Sequence, residues 1–127
     1  MLDRFKFRYV FKKDFGGKTG ICYKMPIFDL NEVTSDNFTK VIKDYTDFDY
    51  KLVSIEQSTG LKDKNGKLIY EGDIVKQNQT IYSVNWCEGS YCFLNNKNFV
   101  NYTIESVTTT RQVVIGNIYE NGDLLNE

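Results

Sequence analysis

A turn-rich segment in the middle of the chain, residues 59–76, constrains the fold more than any other stretch. Its Asn-Gly dipeptide lies in a polar run and is typical of a tight type I′ turn, so Lys64–Lys67 is predicted to be a two-residue hairpin loop. Gly72 supplies a second bend. Glu71 and Asp73 place carboxylates beside it, where they can accept hydrogen bonds from unpaired backbone N–H groups. The segment therefore predicts a hairpin followed by the start of another strand.

Short β-rich stretches separated by turn residues continue to the end of the chain. Their spacing is typical of a small barrel or sandwich. Gly116 interrupts the last stretch, which indicates a bulge or a close backbone approach, and Gly122–Glu127 is predicted to be a loose tail. The predicted fold is mainly β (α+β), with a small SH3-like or similar β-barrel over residues 59–127. The strands predicted after the hairpin are Thr80–Trp86, Tyr91–Leu94, Phe99–Val107 and Arg111–Tyr119.

The first predicted strand alternates aromatic with basic side chains over Phe5–Phe11. This period of two predicts an aromatic face toward the core and a basic face toward solvent. Contact with phosphate groups is one alternative for the basic face, because cations spaced along a strand can follow a phosphate backbone. Pairing with acidic neighbours is another, with Asp44, Asp47 and Asp49 as the candidates. The basic face consists of Arg4, Lys6 and Arg8.

One amphipathic helix is predicted near residues 34–45. Thr34 is the predicted N-cap, and Val33 and Phe38 hold the positions of a hydrophobic staple. Apolar residues then recur at helical spacing, so one face of the helix is expected to pack on the sheet. Docking of a second copy or of a host protein on this face is the alternative. Residues 1–58 are thus predicted to be N-terminal strands plus a helix packed on the barrel, within one compact unit.

An acidic and aromatic stretch, DYTDFD, occupies Asp44–Asp49 at the end of this helix. Such a connection can simply be solvated. Acidic and aromatic side chains together can also imitate nucleic acid on the surface of an inhibitor. The partner-binding candidates of this stretch are therefore Asp47, Phe48 and Asp49.

The residue types exclude several chemistries. The chain has no histidine, so Ser–His and Cys–His nucleophile pairs are absent and no catalytic residue is predicted. A carboxylate pair at Glu71 and Asp73 is explained by turn formation alone. The three cysteines are too few ligands for a zinc site, and no metal or cofactor is expected.

The cysteine count also bears on the cellular compartment. Cys22, Cys87 and Cys92 are an odd number in a chain without a secretory signal, which predicts reduced thiols. A disulfide between Cys87 and Cys92 is not expected, since the two would lie diagonally across a hairpin. No apolar run approaches the length of a membrane span. We therefore expect a soluble, cytoplasmic protein with no membrane partner.

Two motifs resemble those of a known family. TGLKDKNGK-IYEGDIV lies at Thr59–Val75, and VIGNIYEN lies at Val114–Asn121. In both motifs, and in their order, the chain resembles the YopX family of phage and prophage proteins. The resemblance implies a small phage-encoded protein in the cytoplasm of a bacterial host. It supplies no catalytic residue that could be assigned here.

A non-enzymatic protein-binding module is the leading functional hypothesis. Such a module would occupy the surface of a host, phage or defence protein, and it is expected to form a homo-oligomer. The exposed hairpin turn supplies further candidate binding residues. These are Lys62, Asp63 and Asn65.

A site for a nucleotide or another small molecule is an alternative hypothesis, as in counter-defence sponges. It would lie in a barrel mouth or between subunits, where Trp86 and Tyr91 would stack on the ligand and Arg4 or Arg8 would contact phosphate. Sequence-tolerant nucleic-acid binding through the aromatic sheet is a third hypothesis. The net charge of −1 disfavours it, because such binding depends on neutralising phosphates.

Overall fold

The computed structural model describes residues 5–87, 90–95, 100–103 and 111–126. The chain divides into two compact units, Met1–Gln57 and Ser58–Glu127. The sequence places the corresponding boundary between residues 58 and 59, and the packing of both parts as one unit stays a prediction. The fold is mainly β, as predicted.

The described residues form antiparallel strands, two α-helices and a closing 3-10 helix at Gly122–Asn126. None of these helices has the length and apolar character needed to span a bilayer. The elements are β1 (Lys6–Asp14), β2 (Ile21–Lys24), β3 (Ile27–Asp29), α1 (Leu30–Val33), α2 (Phe38–Asp47), β4 (Lys51–Lys62), β5 (Leu68–Tyr70), β6 (Asp73–Gln77), β7 (Thr80–Cys87), β8 (Ser90–Asn95), β9 (Val100–Thr103) and β10 (Val113–Asn117).

In the N-terminal unit, β1 is the central strand. Its first residues pair with β3 and its last residues with β2, and its other edge pairs with the first part of β4. The aromatic residues predicted to face the core do so at Tyr9 and Phe11, which are buried together with Phe28. α2 packs on this cluster, as predicted, and its contacting residues are Phe38, Val41, Ile42 and Tyr45.

The start of the predicted helix is wrong. Thr34 is the C-cap of the short helix α1, and its hydroxyl donates to the Leu30 carbonyl at 2.8 Å. α1 itself begins at a capping box, in which the Asp29 carboxylate accepts from the Glu32 N–H and the Glu32 carboxylate accepts from the Asp29 N–H. α2 begins only at Phe38. The capping box starts a helical turn upstream, so Thr34 falls at the end of that turn and its hydroxyl donates to a carbonyl instead of capping the start of a helix.

In the C-terminal unit, one sheet has the strand order β10-β6-β7-β8-β9 and curls into a half-barrel. The second part of β4 pairs with β5 beside it in the sequence. The core face carries a fully buried cluster, which Tyr82 and Val114 partly cover. Its members are Ile69, Val75, Val84 and Phe93.

The predicted hairpin exists between β4 and β5, but its turn type is different. The Gly66 N–H donates to the Asp63 carbonyl at 3.0 Å, and the Asp63 N–H donates to the Lys67 carbonyl at 2.8 Å. Gly66 has a φ of 81°, whereas Asn65 lacks the positive φ that a type I′ turn requires. The loop is therefore a three-residue hairpin loop with its glycine in the left-handed region.

Gly116 marks a bulge in β10, as predicted. The register with β6 shifts between Val114 and Gly116. A Cβ added at Gly116 would lie 2.4 Å from the Asn121 Oδ1 atom, so the close approach is also real. The prediction of a loose tail is wrong for residues Gly122–Asn126. There Gly122–Asn126 forms the 3-10 helix, and the Leu124 N–H donates to the Asn121 carbonyl at 3.0 Å.

The cysteines differ from the prediction of reduced thiols. Cys92 is buried and disulfide-bonded, whereas Cys22 is a free, half-buried thiol. The side chain of Cys87 lies outside the described part of the chain. The prediction of reduced thiols is therefore wrong at Cys92.

Candidate binding site

A cavity of about 430 Å³ lies on the N-terminal unit. Three aromatic side chains form its apolar walls, and two lysines and one aspartate stand around them. We call this cavity the aromatic pocket. Its lining residues are Lys13, Lys24, Asp44, Tyr45, Phe48 and Tyr50.

The strand register brings the two lysines together. Lys24 lies opposite Phe11 in the pairing of β2 with β1, and Lys13 lies two residues beyond Phe11. Side chains two apart on a strand share a face, as do directly opposed residues. Lys13 and Lys24 therefore lie on the same face as Phe11. The Tyr45 ring stacks on Phe11 there, with ring centroids 4.4 Å apart and an interplanar angle of 6°.

The end of α2 brings the aromatic residues together. Phe48 is the C-cap of the helix, and Asp49 has a φ of 66°, which turns the chain sharply. The Tyr50 N–H then donates to the Tyr45 carbonyl at 3.2 Å. Three aromatic side chains at positions 45, 48 and 50 are thereby held around one cavity. Phe48 is 70% exposed, so a ligand can reach it.

The charges of the aromatic pocket favour an anionic group. The Lys13 Nζ atom lies 4.7 Å from the centroid of the Phe15 ring and 5.6 Å from that of the Tyr50 ring. Both are cation–π distances. Lys13, Lys24 and Asp44 line the pocket with the apolar parts of their side chains, and together they carry two positive charges and one negative charge. An aromatic or apolar group that carries negative charge matches this arrangement.

In the ranges that the structure describes, no three His, Cys, Asp or Glu side chains lie close enough together to hold a metal ion. The carboxylates beside the Gly72 bend have a structural use, since the Asp73 Oδ2 atom accepts from the Tyr70 N–H at 2.8 Å. The chemistry that the aromatic pocket can perform is binding through aromatic contact and charge.

The predicted acidic and aromatic stretch, Asp44–Asp49, contributes three residues to the pocket, of which one, Phe48, was a predicted binding residue. Phe48 lines it, while Asp47 and Asp49 are exposed beside it. Asp47 forms an ion pair with Lys43, one helical turn earlier, with Nζ and Oδ2 3.5 Å apart. This pair is exposed on both sides and contributes at most about 0.5 kcal/mol.

Arg8 does not lie on a solvated basic face. It is 8% exposed, and its Nε and Nη2 atoms donate to the Glu56 Oε1 atom at 3.0 and 2.9 Å. Pairing with an acidic neighbour was one of the alternatives, although Glu56 was not among the candidates. Residues Arg8 to Phe11 are all buried, so both faces of β1 are covered there and the strand has no solvent face. Arg4 lies outside the described residues.

The predicted hairpin residues divide into one structural and two surface positions. Asp63 is 5% exposed, and its carboxylate accepts from the N–H groups of Asn65, Lys67 and Val114 at 2.8 to 2.9 Å. Asp63 therefore has a structural role in holding the loop. Lys62 and Asn65 are exposed on the surface around it.

Trp86 and Tyr91 lie together in the C-terminal unit. They face each other across the β7–β8 hairpin with ring centroids 4.8 Å apart and an interplanar angle of 75°. Trp86 is 56% exposed and Tyr91 is half-buried. Burial, and secondly the charge of Glu71, raise the pKa of Tyr91. The phenol is therefore neutral at neutral pH.

The sequence did not identify five of the lining residues as site residues, namely Lys13, Lys24, Asp44, Tyr45 and Tyr50. Lys13 and Lys24 meet only through the register of β1 with β2, which a single sequence does not reveal. A partial signal was available in the aromatic residues at 45, 48 and 50. They lie at and just after the end of a predicted helix, so they are expected to be close together in the fold.

Comparisons with known proteins place the chain in a family. The model of the family described as YopX protein matches residues 15–126, and a search of curated proteins gives no match. The crystal structure of protein EF1440 from Enterococcus faecalis is similar at 25% identity, covering 90% of this chain and 74% of that chain with a TM-score of 0.47. Because the matched range spans nearly the whole chain, this protein belongs to the YopX family.

Proposed function

We propose that this protein is a phage-encoded, non-enzymatic binding module that acts by occupying a surface of a host or phage protein. The observation that carries the proposal is the aromatic pocket, in which Phe48 is largely exposed beside two lysines. An exposed aromatic residue at the edge of a cavity is typical of a recognition site. Family membership supports the phage origin, and a role against a host defence protein is part of the same proposal.

The chemistry of the pocket indicates what the partner presents. Its walls at Tyr45, Phe48 and Tyr50 match an inserted aromatic side chain, because aromatic rings pack favourably edge to face. The two lysines that line it match carboxylates next to that side chain in the partner sequence. The cavity of about 430 Å³ falls in the range of ligand sites, so it accommodates the aromatic side chain together with its neighbours. The partner segment is therefore aromatic with acidic flanks.

A peptide titration followed by NMR tests the proposal. We expect a capped Glu-Phe-Glu peptide to shift the resonances of Lys13, Phe48 and Tyr50. A capped Gln-Phe-Gln peptide tests the contribution of charge, and Glu-Ala-Glu tests that of the ring. Both are expected to bind several-fold more weakly. Three equal affinities, or no shift with any of the peptides, would contradict the proposal.

Matched variants test whether the peptide binds at the aromatic pocket or elsewhere on the surface. Phe48→Ser is expected to abolish binding while leaving the free energy of unfolding within about 0.5 kcal/mol, because the side chain is exposed. Lys13→Gln should weaken binding, whereas Lys12→Gln should not, since Lys12 lies next to it on the opposite face of β1. A partner captured from infected-cell lysate should be retained by Lys12→Gln and lost with Phe48→Ser. The solution mass tests the proposed homo-oligomer.

A small anionic ligand is the second candidate function, and the position of Lys13 over the Tyr50 ring favours it. A base could stack on the aromatic walls while the ammonium groups contact phosphate. Adenosine monophosphate titrated against the same variants tests this candidate. A ligand at 100 times its dissociation constant stabilises by roughly 2.7 kcal/mol, which a thermal shift detects. Stabilisation by the nucleotide without any peptide binding would replace the first proposal by the second.

A further inference from the structure

The aromatic pair of the C-terminal unit lies at the end of the half-barrel core. Val84 and Phe93 are opposed in the core, and Trp86 and Tyr91 are the next opposed pair on the same face. Unlike the core pair, Trp86 is 56% exposed. Its ring stands nearly perpendicular to that of Tyr91. The two rings therefore form two walls of an open corner rather than part of the packed core.

The backbone next to Glu71 is tied to the strand that forms this corner. Glu71 lies in the bend before β6, and the N–H of the next residue, Gly72, donates to the Val84 carbonyl at 2.9 Å. This bond holds Glu71 next to the strand that carries Trp86. The effect of Glu71 on the Tyr91 phenol gives a second, consistent sign that its negative charge lies near the pair.

We propose that Trp86, Tyr91 and Glu71 form a second binding site, which receives the cationic side chain of an arginine or lysine from a protein partner. Aromatic faces attract a cation through their quadrupole, and tryptophan does so best. The Glu71 carboxylate attracts a cation and repels an anion, and it gives no such attraction to an uncharged apolar ligand. The site belongs to the other unit and has the opposite charge preference from the aromatic pocket, so it does not depend on the proposed function.

The only tryptophan of the chain reports on this site directly. Because Trp86 is unique, its indole fluorescence and its indole N–H resonance in NMR arise at the proposed corner and nowhere else. The probes are a capped Gly-Arg-Gly peptide and its Gly-citrulline-Gly counterpart, which has nearly the same shape without the charge. We expect the arginine peptide to shift the indole signals saturably in the millimolar range. The citrulline peptide should bind several-fold more weakly.

Substitutions that leave the reporter in place test the assignment. Glu71→Gln should remove most of the preference for arginine over citrulline, and Glu120→Gln, an exposed acid of the same unit, should leave it unchanged. Tyr91→Phe keeps the ring and should retain binding, whereas Tyr91→Leu should lose it. Equal responses to the two peptides in the wild type, or an unchanged preference in Glu71→Gln, would overturn the proposal. Retained dispersion of the NMR spectrum verifies that each variant is folded.

Discussion

The carboxylate of Asp63 accepts a hydrogen bond from the Val114 N–H at 2.9 Å, although the two residues lie far apart in the sequence. The same carboxylate holds the hairpin loop through its other oxygen atom, which accepts from Asn65 and Lys67. A single buried side chain thus connects the loop after β4 to the last strand. The Lys64 N–H reinforces this connection by donating to the Gln112 carbonyl at 2.8 Å.

Replacing Asp63 is expected to destabilise the C-terminal unit. In Asp63→Asn one oxygen can still accept from the loop, but the amide nitrogen then faces the Val114 N–H and leaves a buried donor unpaired. The free energy of unfolding should fall by about 1–3 kcal/mol, and further in Asp63→Ala, which removes both acceptor oxygens and with them all three hydrogen bonds. Urea denaturation measures both. Asp36→Asn, at an exposed position, is the control. A loss as small as that of the control would show that Asp63 contributes little to stability.

Gly116→Ala is expected to destabilise the protein through a steric clash. The new Cβ would lie 2.4 Å from the Asn121 Oδ1 atom and 2.8 Å from its Cβ. Overpacking of this kind costs about 1–3 kcal/mol. Gly122→Ala is the matched control, because a Cβ there meets nothing within 4 Å. Asn121→Gly in the Gly116→Ala background should recover part of the loss, and equal stability of the two alanine variants would contradict the clash.

Removing one partner of the buried ion pair between Arg8 and Glu56 should destabilise the protein more than removing both. Arg8→Met leaves a buried carboxylate without its guanidinium, for which a loss of about 3–5 kcal/mol is expected. The double variant Arg8→Met with Glu56→Leu removes both charges and should recover most of this loss. A double-mutant cycle in chemical denaturation measures the coupling. Additive effects of the two substitutions would show that the pair does not act as a unit.

Alkaline pH should destabilise the fold through Tyr91. Burial and then Glu71 raise its pKa in the folded protein above the ordinary value of 10.0. Above about pH 10 the unfolded chain therefore releases this proton while the folded state retains it, so stability falls as pH rises. Tyr91→Phe removes this contribution. Urea midpoints at about pH 8 and about pH 10.5 should differ less in the variant. An identical decrease in both proteins would exclude Tyr91 as the source.

The elements with strong local signals could be predicted from the sequence. The hairpin of DKNGK, the bulge at Gly116 and the apolar face of α2 follow from turn chemistry and periodicity. The helix start was missed, although the Asp29-x-x-Glu32 spacing of a capping box was visible in the sequence. The capping box starts α1, and Thr34 therefore lies at the end of that helix and not at the start of α2.

The surface chemistry could be predicted only in part, because it depends on which strand faces are covered. The alternation of aromatic and basic residues along β1 predicted a basic face exposed to solvent, yet Arg8 is buried against Glu56. Phe48 was identified from the acidic and aromatic composition of its stretch, and Trp86 and Tyr91 were identified as rings that can stack on a ligand. Lys13 and Lys24 were missed, since their proximity depends on strand register.

The role of Asp63 changes what the family signature means. The DKNGK portion of the signature encodes a loop whose aspartate holds the architecture together, and the residues of the two candidate sites lie mostly outside it. Relatives that share the signature are therefore expected to share a scaffold without necessarily sharing a target. Differences in target among them should follow the residue types at positions 13, 24, 48 and 86, which makes these four positions the ones to compare when specificity is mapped across the family.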